Sequence, residues 1–257
     1  MSHERTAVTG AELDDLDLAA LEVWVAQRAP ALRQAGSLEE AAVRLGLLAR
    51  AAPRLAPTPV GLLLFGKAPQ LVQPDWGVAA VAVRGASLAD PVLTRADLEG
   101  NLPALLAQAL AFVREQAEAR GASGLAVAAA IEEYPEVAVR EAVVNALVHR
   151  DLRRAGRVAV RVFSDRIEVW SPGGLPEGLT EIDDLLHEGG VSHPRNPLLA
   201  AAARSLGLGE QLGRGLAVMG RAGGSYTRRV EIRASPRDVL VTLPSRWLGP
   251  QTPGQLS

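Results

Sequence analysis

Between Pro135 and Pro172 the hydrophobic period of the chain changes once, from helical to alternating. PEVAVREAVVNALVHRD reads as a helix with Pro135 in its first turn, where a missing N–H is harmless. RVAVRVFSDRIEVW follows as a hairpin. Val158, Val160 and Val162 share one face, Ile167 and Val169 pair similarly, and Ser164 and Asp165 stand at the turn. An apolar helix joined to such a hairpin predicts a layered α/β unit, a mixed sheet with helices on one face. VEIRASPRDVLVTLP adds a closing hairpin.

Other segments fill in around that unit. Residues 1–10 read as disordered. Asp14 to Gln27 predicts a helix, with Leu18, Leu21 and Val25 at helical spacing. Ser37 starts a second, and Glu40 stands three residues later as its capping-box partner. Pro53, Pro57 and Pro59 then break the chain, and VGLLLFG is too short to assign. WGVAAVAVRG alternates as a strand, and Asn101 caps a long helix that Gly121 ends. GLAVAAAIEEY reads as a strand. Ser171 to Pro197 is long, polar and Gly/Pro-rich, the pattern of a functional lid or a disordered connection. Asn196 and Pro197 cap the helix LLAAAARSLG, and another helix begins near Gly215.

Composition narrows the function. The 257 residues carry 27 basic and 29 acidic side chains, a net charge of −2, which argues against a strongly basic nucleic-acid binder. Cysteine is absent, so disulfides, thiolate metal sites and a thiol nucleophile are excluded. No apolar run approaches the roughly 20 residues of a membrane span, and the polar, acidic N-terminus does not look like a secretory signal. These features point to the cytoplasm. Lys67 is the only lysine, so arginine abundance reflects coding bias and is weak support for phosphate binding.

Two motifs mislead. Gly61 to Ala68 fits most of a P-loop, but its loop positions are Leu62, Leu63, Leu64 and Phe65, and Ala68 lacks the magnesium-binding hydroxyl. A packed core segment is the better reading. Gly207, Gly209 and Gly213 imitate a dinucleotide fingerprint, yet a helix precedes them where a strand is needed.

Arg140 to Asp151 is the most informative stretch. Glu141, Asn145 and His149 fall at i, i+4 and i+8, on one helix stripe. The carboxylate could orient or deprotonate water, and the amide oxygen is a hard ligand suited to magnesium. The alternative is a polar face meeting solvent or another domain. Gly213 and Gly215 precede an apolar helix, where glycine lets backbone N–H groups approach phosphate; a flexible turn is the alternative.

The order of helix, hairpin, PGG turn, long lid, GxGL helix and closing hairpin resembles the GHKL ATPase fold of gyrase, heat-shock chaperones, mismatch-repair proteins and histidine kinases. EAVVNALVH is similar to the N-box of anti-sigma-factor kinases. EYPEVAVREAVVNALVHRD, DRIEVWSPGGLPEGL and GGVSHPRNPLLA resemble the GHKL-type domain of Schlafen/AlbA-linked transcriptional regulators, often labelled RecG-like ATP-dependent DNA helicases. GLLLFGKAPQ and RLGLLAR match that family's middle region, so the resemblance spans about residues 14–245.

The resemblance implies an α/β chain. A smaller α/β domain with N-terminal helices occupies residues 1–122, a GHKL (Bergerat-like) α/β sandwich residues 123–248, and a flexible tail residues 249–257. It implies an ATP-binding regulator of transcription or DNA transactions, with ATP and Mg²⁺ as cofactors and slow or no hydrolysis. Glu141 corresponds to the general base and Asn145 to the magnesium-binding asparagine, acting through the nucleotide. Gly173 and Gly174 occupy the first glycine box, Gly213 and Gly215 the second; His149, Trp170 and Ser171 complete the expected nucleotide-binding set. Two residues depart from the pattern. Ser171 replaces the family's asparagine before PGG, and Trp170 stands where the wider fold places its adenine-binding aspartate. Weak, poorly base-selective binding is therefore expected. The AlbA-type module is expected to be missing, which with the net charge predicts weak or indirect DNA binding. A protein partner or a second copy of the chain is the other expected contact, and no membrane is. Two further functions compete: a degenerate scaffold that binds protein or DNA without nucleotide, and an anti-sigma-like serine/threonine kinase. The helicase label gains no support, since the chain has no Walker pair.

Overall fold

The structure is a computed structural model that describes residues 3–121, 133–175, 194–208 and 230–245. The strand expected at GLAVAAAIEEY lies almost wholly outside these residues. So do most of the expected lid, the helix near Gly215 with Gly213, and the tail.

Helix α1 (Leu18–Arg28) begins four residues later than the apolar spacing suggested. Asp17 is its N-cap, accepting from the amides of Ala19 and Ala20, while Asp14 and Asp15 lie in a preceding 3-10 turn. After α2 (Pro30–Ala35), α3 (Leu38–Leu45) opens with the predicted capping box. Ser37 Oγ accepts from Glu40 N at 3.2 Å, and the Glu40 carboxylate accepts from Ser37 N at 3.4 Å. A small hairpin, β1 (Leu48–Ala51) and β2 (Arg54–Pro57), leads into α4 (Pro59–Phe65). All seven residues of α4 are buried. The P-loop look-alike is thus a core helix, and a helix buried all round leaves no period to read.

Helix α5 (Pro69–Val72) leads to β3 (Val78–Val83), β4 (Val92–Leu98), α6 (Leu102–Gly121), α7 (Glu136–His149), β5 (Val158–Val162) and β6 (Arg166–Pro172). Helix α8 (Pro197–Ser205) and the closing hairpin β7 (Glu231–Ala234) and β8 (Asp238–Pro244) complete the described elements. Asn101 caps α6 as expected, its Oδ1 accepting from Ala104 N.

Six strands form one mixed sheet in the order β4-β3-β5-β6-β8-β7. Among the described strands only the β3–β5 pair is parallel, which requires the long crossover that holds α6 and α7. Strands from both sides of residue 122 share this sheet. β4 had no signature in the sequence, because an edge strand exposed from Val92 to Arg95 has no buried face to impose alternation.

Helix α7 is the hub. It lies on the sheet face that carries Val158, Val160, Ile167, Val169, Val241 and Leu243, and α6 and α8 pack against it. Ala138, Val139, Ala142, Val143, Val144, Ala146, Leu147 and Val148 are all buried. Each such valine or leucine contributes about 1.5–3 kcal/mol when removed from water.

Two expectations are corrected. Residues 3–5 form a 3-10 turn, and Glu4 is 2% exposed. Its carboxylate accepts from the amides of Leu198 (3.2 Å) and Leu199 (2.8 Å) and so caps α8 from the far end of the chain. Asn196, the expected cap, makes no side-chain cap; its amide donates to the carbonyls of Val148 and Arg150 at 2.8 and 2.9 Å. It satisfies the end of α7 instead.

Candidate functional site

The candidate site gathers at the C-terminal half of α7 and the β6 end. Their relative position is fixed by three sets of bonds. Ser171 Oγ donates to the Ala146 carbonyl at 2.9 Å, and Asp151 N donates to the Pro172 carbonyl at 2.8 Å. Arg150 is buried, and its guanidinium donates to the carbonyls of Asp75 and Gly156 at 2.7 and 3.0 Å. Burial pulls its pKa down to about 10, against the charges of Asp75 and Asp151, so the cation persists at neutral pH.

On the helix side, Glu141 is buried, while Asn145 and His149 are half-buried one turn apart on the same stripe. Neither the Asn145 amide nor the His149 imidazole forms a hydrogen bond with a described residue. Burial, then the charges of Arg204 and Arg195, push the imidazole down to about 4, so His149 is neutral at pH 7.

The strand side is arranged differently. Trp170 alternates to the sheet face away from α7, opposite Ala159 and Leu240, and its indole N–H donates to the Asp238 carboxylate at 3.0 Å. Hydrogen bonds from Ser235 and Trp170 hold the Asp238 carboxyl below its ordinary value. The structure therefore does not bring Trp170 together with Asn145 and His149; Ser171 is the residue on the α7 face. The glycines of the PGG turn have packing reasons. Gly173 has φ 100°, and a Cβ there would stand 2.6 Å from Asp151 Cβ and 2.9 Å from its backbone N. A Cβ on Gly174 would run into the Ser235 carbonyl oxygen.

Asp151 gathers charge beside the turn. Burial opposes its ionisation, but hydrogen bonds from Arg153 and the charges of Arg153 and Arg195 hold its carboxyl below the usual range. Arg195 donates to the carbonyls of Gly174 and Leu175 at 2.6 and 3.2 Å and lies 3.8 Å from Asp151 Oδ2.

Residues 156–243 match the family model described as "Putative ATP-dependent DNA helicase recG C-terminal". The region is ATPase-like. The match runs from the turn before β5 to the end of β8 and does not include α7. A crystal structure of the DIP2311 protein from Corynebacterium diphtheriae is similar at 26% identity, with a TM-score of 0.61 over 95% of this chain. This chain spans 40% of that one. No curated protein matches.

Within and beside the ATPase-like region, sequence reasoning overlooked Arg195 and Arg204. Single arginines in an arginine-rich chain carry no signal, and only the docking of α8 on α7 brings their charges to His149. Among the described residues no group of three or more acidic or histidine side chains could hold a metal by itself, and no helix is long and apolar enough to cross a membrane.

Proposed function

We propose that this chain is a GHKL-type regulatory module of the Schlafen/AlbA-linked kind that binds a magnesium nucleotide weakly by its phosphate end. The observation that carries this is the pair of half-buried groups, Asn145 and His149, without hydrogen-bond partners among the described residues, on a helix that packs against the ATPase-like region. The donor set fits the cofactor: a carboxamide oxygen is a hard ligand, and a neutral imidazole can donate to a phosphate oxygen. A bound Mg·ATP would supply the divalent charge and the polyphosphate these groups lack. Asn145 would orient the metal, with Glu141 one turn away on the stripe and His149 next to the phosphates. Gly213 and Gly215 are the proposed second glycine box.

Ser171 offers the base a hydroxyl already committed to Ala146, which supports weak affinity and low selectivity for adenine. A charge-assisted bond to the adenine amino group would be worth about 1.5–3 kcal/mol, so its absence weakens binding by roughly one to two decades. Calorimetric titration with ATP and GTP, with and without Mg²⁺, tests the proposal. Binding near millimolar concentration is expected, with little preference for ATP, and Asn145→Ala removes its magnesium-dependent part. The same glycine packing and committed Ser171 favour a second reading, a degenerate scaffold without nucleotide. Absence of heat and thermal shift at millimolar Mg·ATP would establish it.

A further inference from the structure

Helix α8 is bonded to two parts of the molecule at once. Both of its ends are tied to the N-terminal helices. At its start the Glu4 carboxylate accepts from the amides of Leu198 and Leu199. Leu198 also lies against Gly46, where a Cβ would stand 2.6 Å from Leu198 Cδ2. At its end Ser205 Oγ accepts from the Trp24 indole N–H at 3.0 Å and donates to the Ala202 carbonyl at 2.7 Å. Trp24 is buried, and its ring meets that of Phe65 in α4 with centroids 5.7 Å apart. The two residues before α8 reach the other way. Asn196 donates to the carbonyls of Val148 and Arg150 at the end of α7, and Arg195 to those of Gly174 and Leu175 in the PGG turn. Helix α8 has nine residues, and an isolated helix shorter than about 12 is marginal in water. Its order therefore depends on these ties and on the burial of Leu199, Ala200, Ala202 and Ala203.

From these contacts we infer that α8 couples the N-terminal helices to the candidate site, with Glu4 and Trp24 as positioning residues for the PGG turn and Arg195 as the link between them. The basis is cooperative opening. When α8 leaves its seat, the bonds of Arg195 and Asn196 leave with it, so the turn and the end of α7 lose their braces in the same event. Whatever loosens either end of α8 raises the population of that open state. A contact that engages or withdraws residues 3–5 thus changes the order of the turn without touching it. The inference deepens the nucleotide reading, on which it rests for the ligand that the turn would serve; the coupling itself is measured on the unliganded chain.

Amide hydrogen exchange followed by NMR on the full chain tests it, in wild type, Glu4→Ala, Glu4→Gln, Trp24→Phe and Arg195→Gln, with thermal melts to verify folding. The reporters are the amides of Asp151 and Gly173, which donate to the carbonyls of Pro172 and Arg237, far along the chain from residues 4 and 24. Their exchange is expected to rise about tenfold in Glu4→Ala and roughly threefold in Trp24→Phe, in step with the amides of α8 and with β5 and β6 unchanged. Glu4→Gln, which keeps an acceptor, recovers part of the protection. Arg195→Gln frees Gly173 while α8 stays protected, and adding Trp24→Phe to it moves Gly173 no further. Faster exchange confined to α1 and α8 overturns the coupling, and so does an equal rise throughout the sheet, which is global loss of stability. Mg·ATP titrated into wild type separates the two readings. If the turn loosens as expected and Mg·ATP gives no heat, the coupling stands and the nucleotide reading falls. If Mg·ATP binds while Asp151 and Gly173 ignore Glu4→Ala, the coupling falls and the nucleotide reading stands.

Discussion

The two sides of the candidate site treat their polar groups in opposite ways. On α7 and α8, Asn145, His149 and Arg204 are half-buried and form no side-chain hydrogen bond with any described residue. On β6 and its turn, Ser171 is bonded to Ala146, Trp170 to Asp238, and both glycines are pressed against backbone. A binding surface has to leave polar groups without internal partners, which a packing surface cannot tolerate. Among the described residues the helix side leaves polar groups open, whereas the strand side commits its own to packing.

Gly173→Ala strikes hardest at this contrast. A residue with a Cβ at φ 100° is strained, and that Cβ collides with Asp151. Strain and overpacking together predict a loss of about 4 kcal/mol, read as a shift in the urea midpoint. Without the collision only the backbone strain would remain, a loss of about 1–2 kcal/mol.

Acid should come next, through His149. The unfolded imidazole takes its proton near 6.5 and the folded one near 4. Between those values the unfolded chain holds more protons, so stability rises with pH and is lost as pH falls from 6.5 toward 4. The upper bound is about 3 kcal/mol, reduced by the partial exposure of the ring. Urea melts at pH 7, 6 and 5 should show this slope in wild type and a flatter one in His149→Gln.

The smallest effects give the sharpest comparison. Ser171→Ala removes a buried hydroxyl and leaves the Ala146 carbonyl short of a donor, a loss of about 1 kcal/mol. Asn145→Ala removes an amide with no partner among the described residues and should change stability by less than about 0.5 kcal/mol. Equal losses in the two variants would erase the distinction between the sides.

Much of the fold is legible where local rules act alone. The capping box at Ser37, the cap at Asn101 and the Ser164–Asp165 hairpin all depend on neighbours a few residues apart. The sheet face of β6 also follows from simple alternation, although the family pattern assigned Trp170 to the site and the pleat turns it away. What stays hidden is settled at long range. Asn196 has the right identity and position for a cap, but the Val148 and Arg150 carbonyls, 48 and 46 residues away, take its amide. β4 is hidden because pairing with β3, not burial, makes it a strand. For the candidate site, the shared stripe of Asn145 and His149 is legible from i, i+4 spacing, whereas the approach of Arg195 and Arg204 depends on how α8 docks.

The bond between Glu4 and α8 also bears on the order in which the molecule assembles. Its partners are 194 and 195 residues away, so almost the whole described chain lies inside the loop it closes. Closing a loop of that length is slow compared with forming hairpins and helices, and its contacts form late. During synthesis Glu4 emerges before α8 and has to wait for it to complete this contact. The arm that carries it therefore clasps the layer of helices beside the candidate site. Proteolytic removal of that arm would strip the cap from α8 and loosen the ATPase-like end of the molecule, far along the chain from the cut.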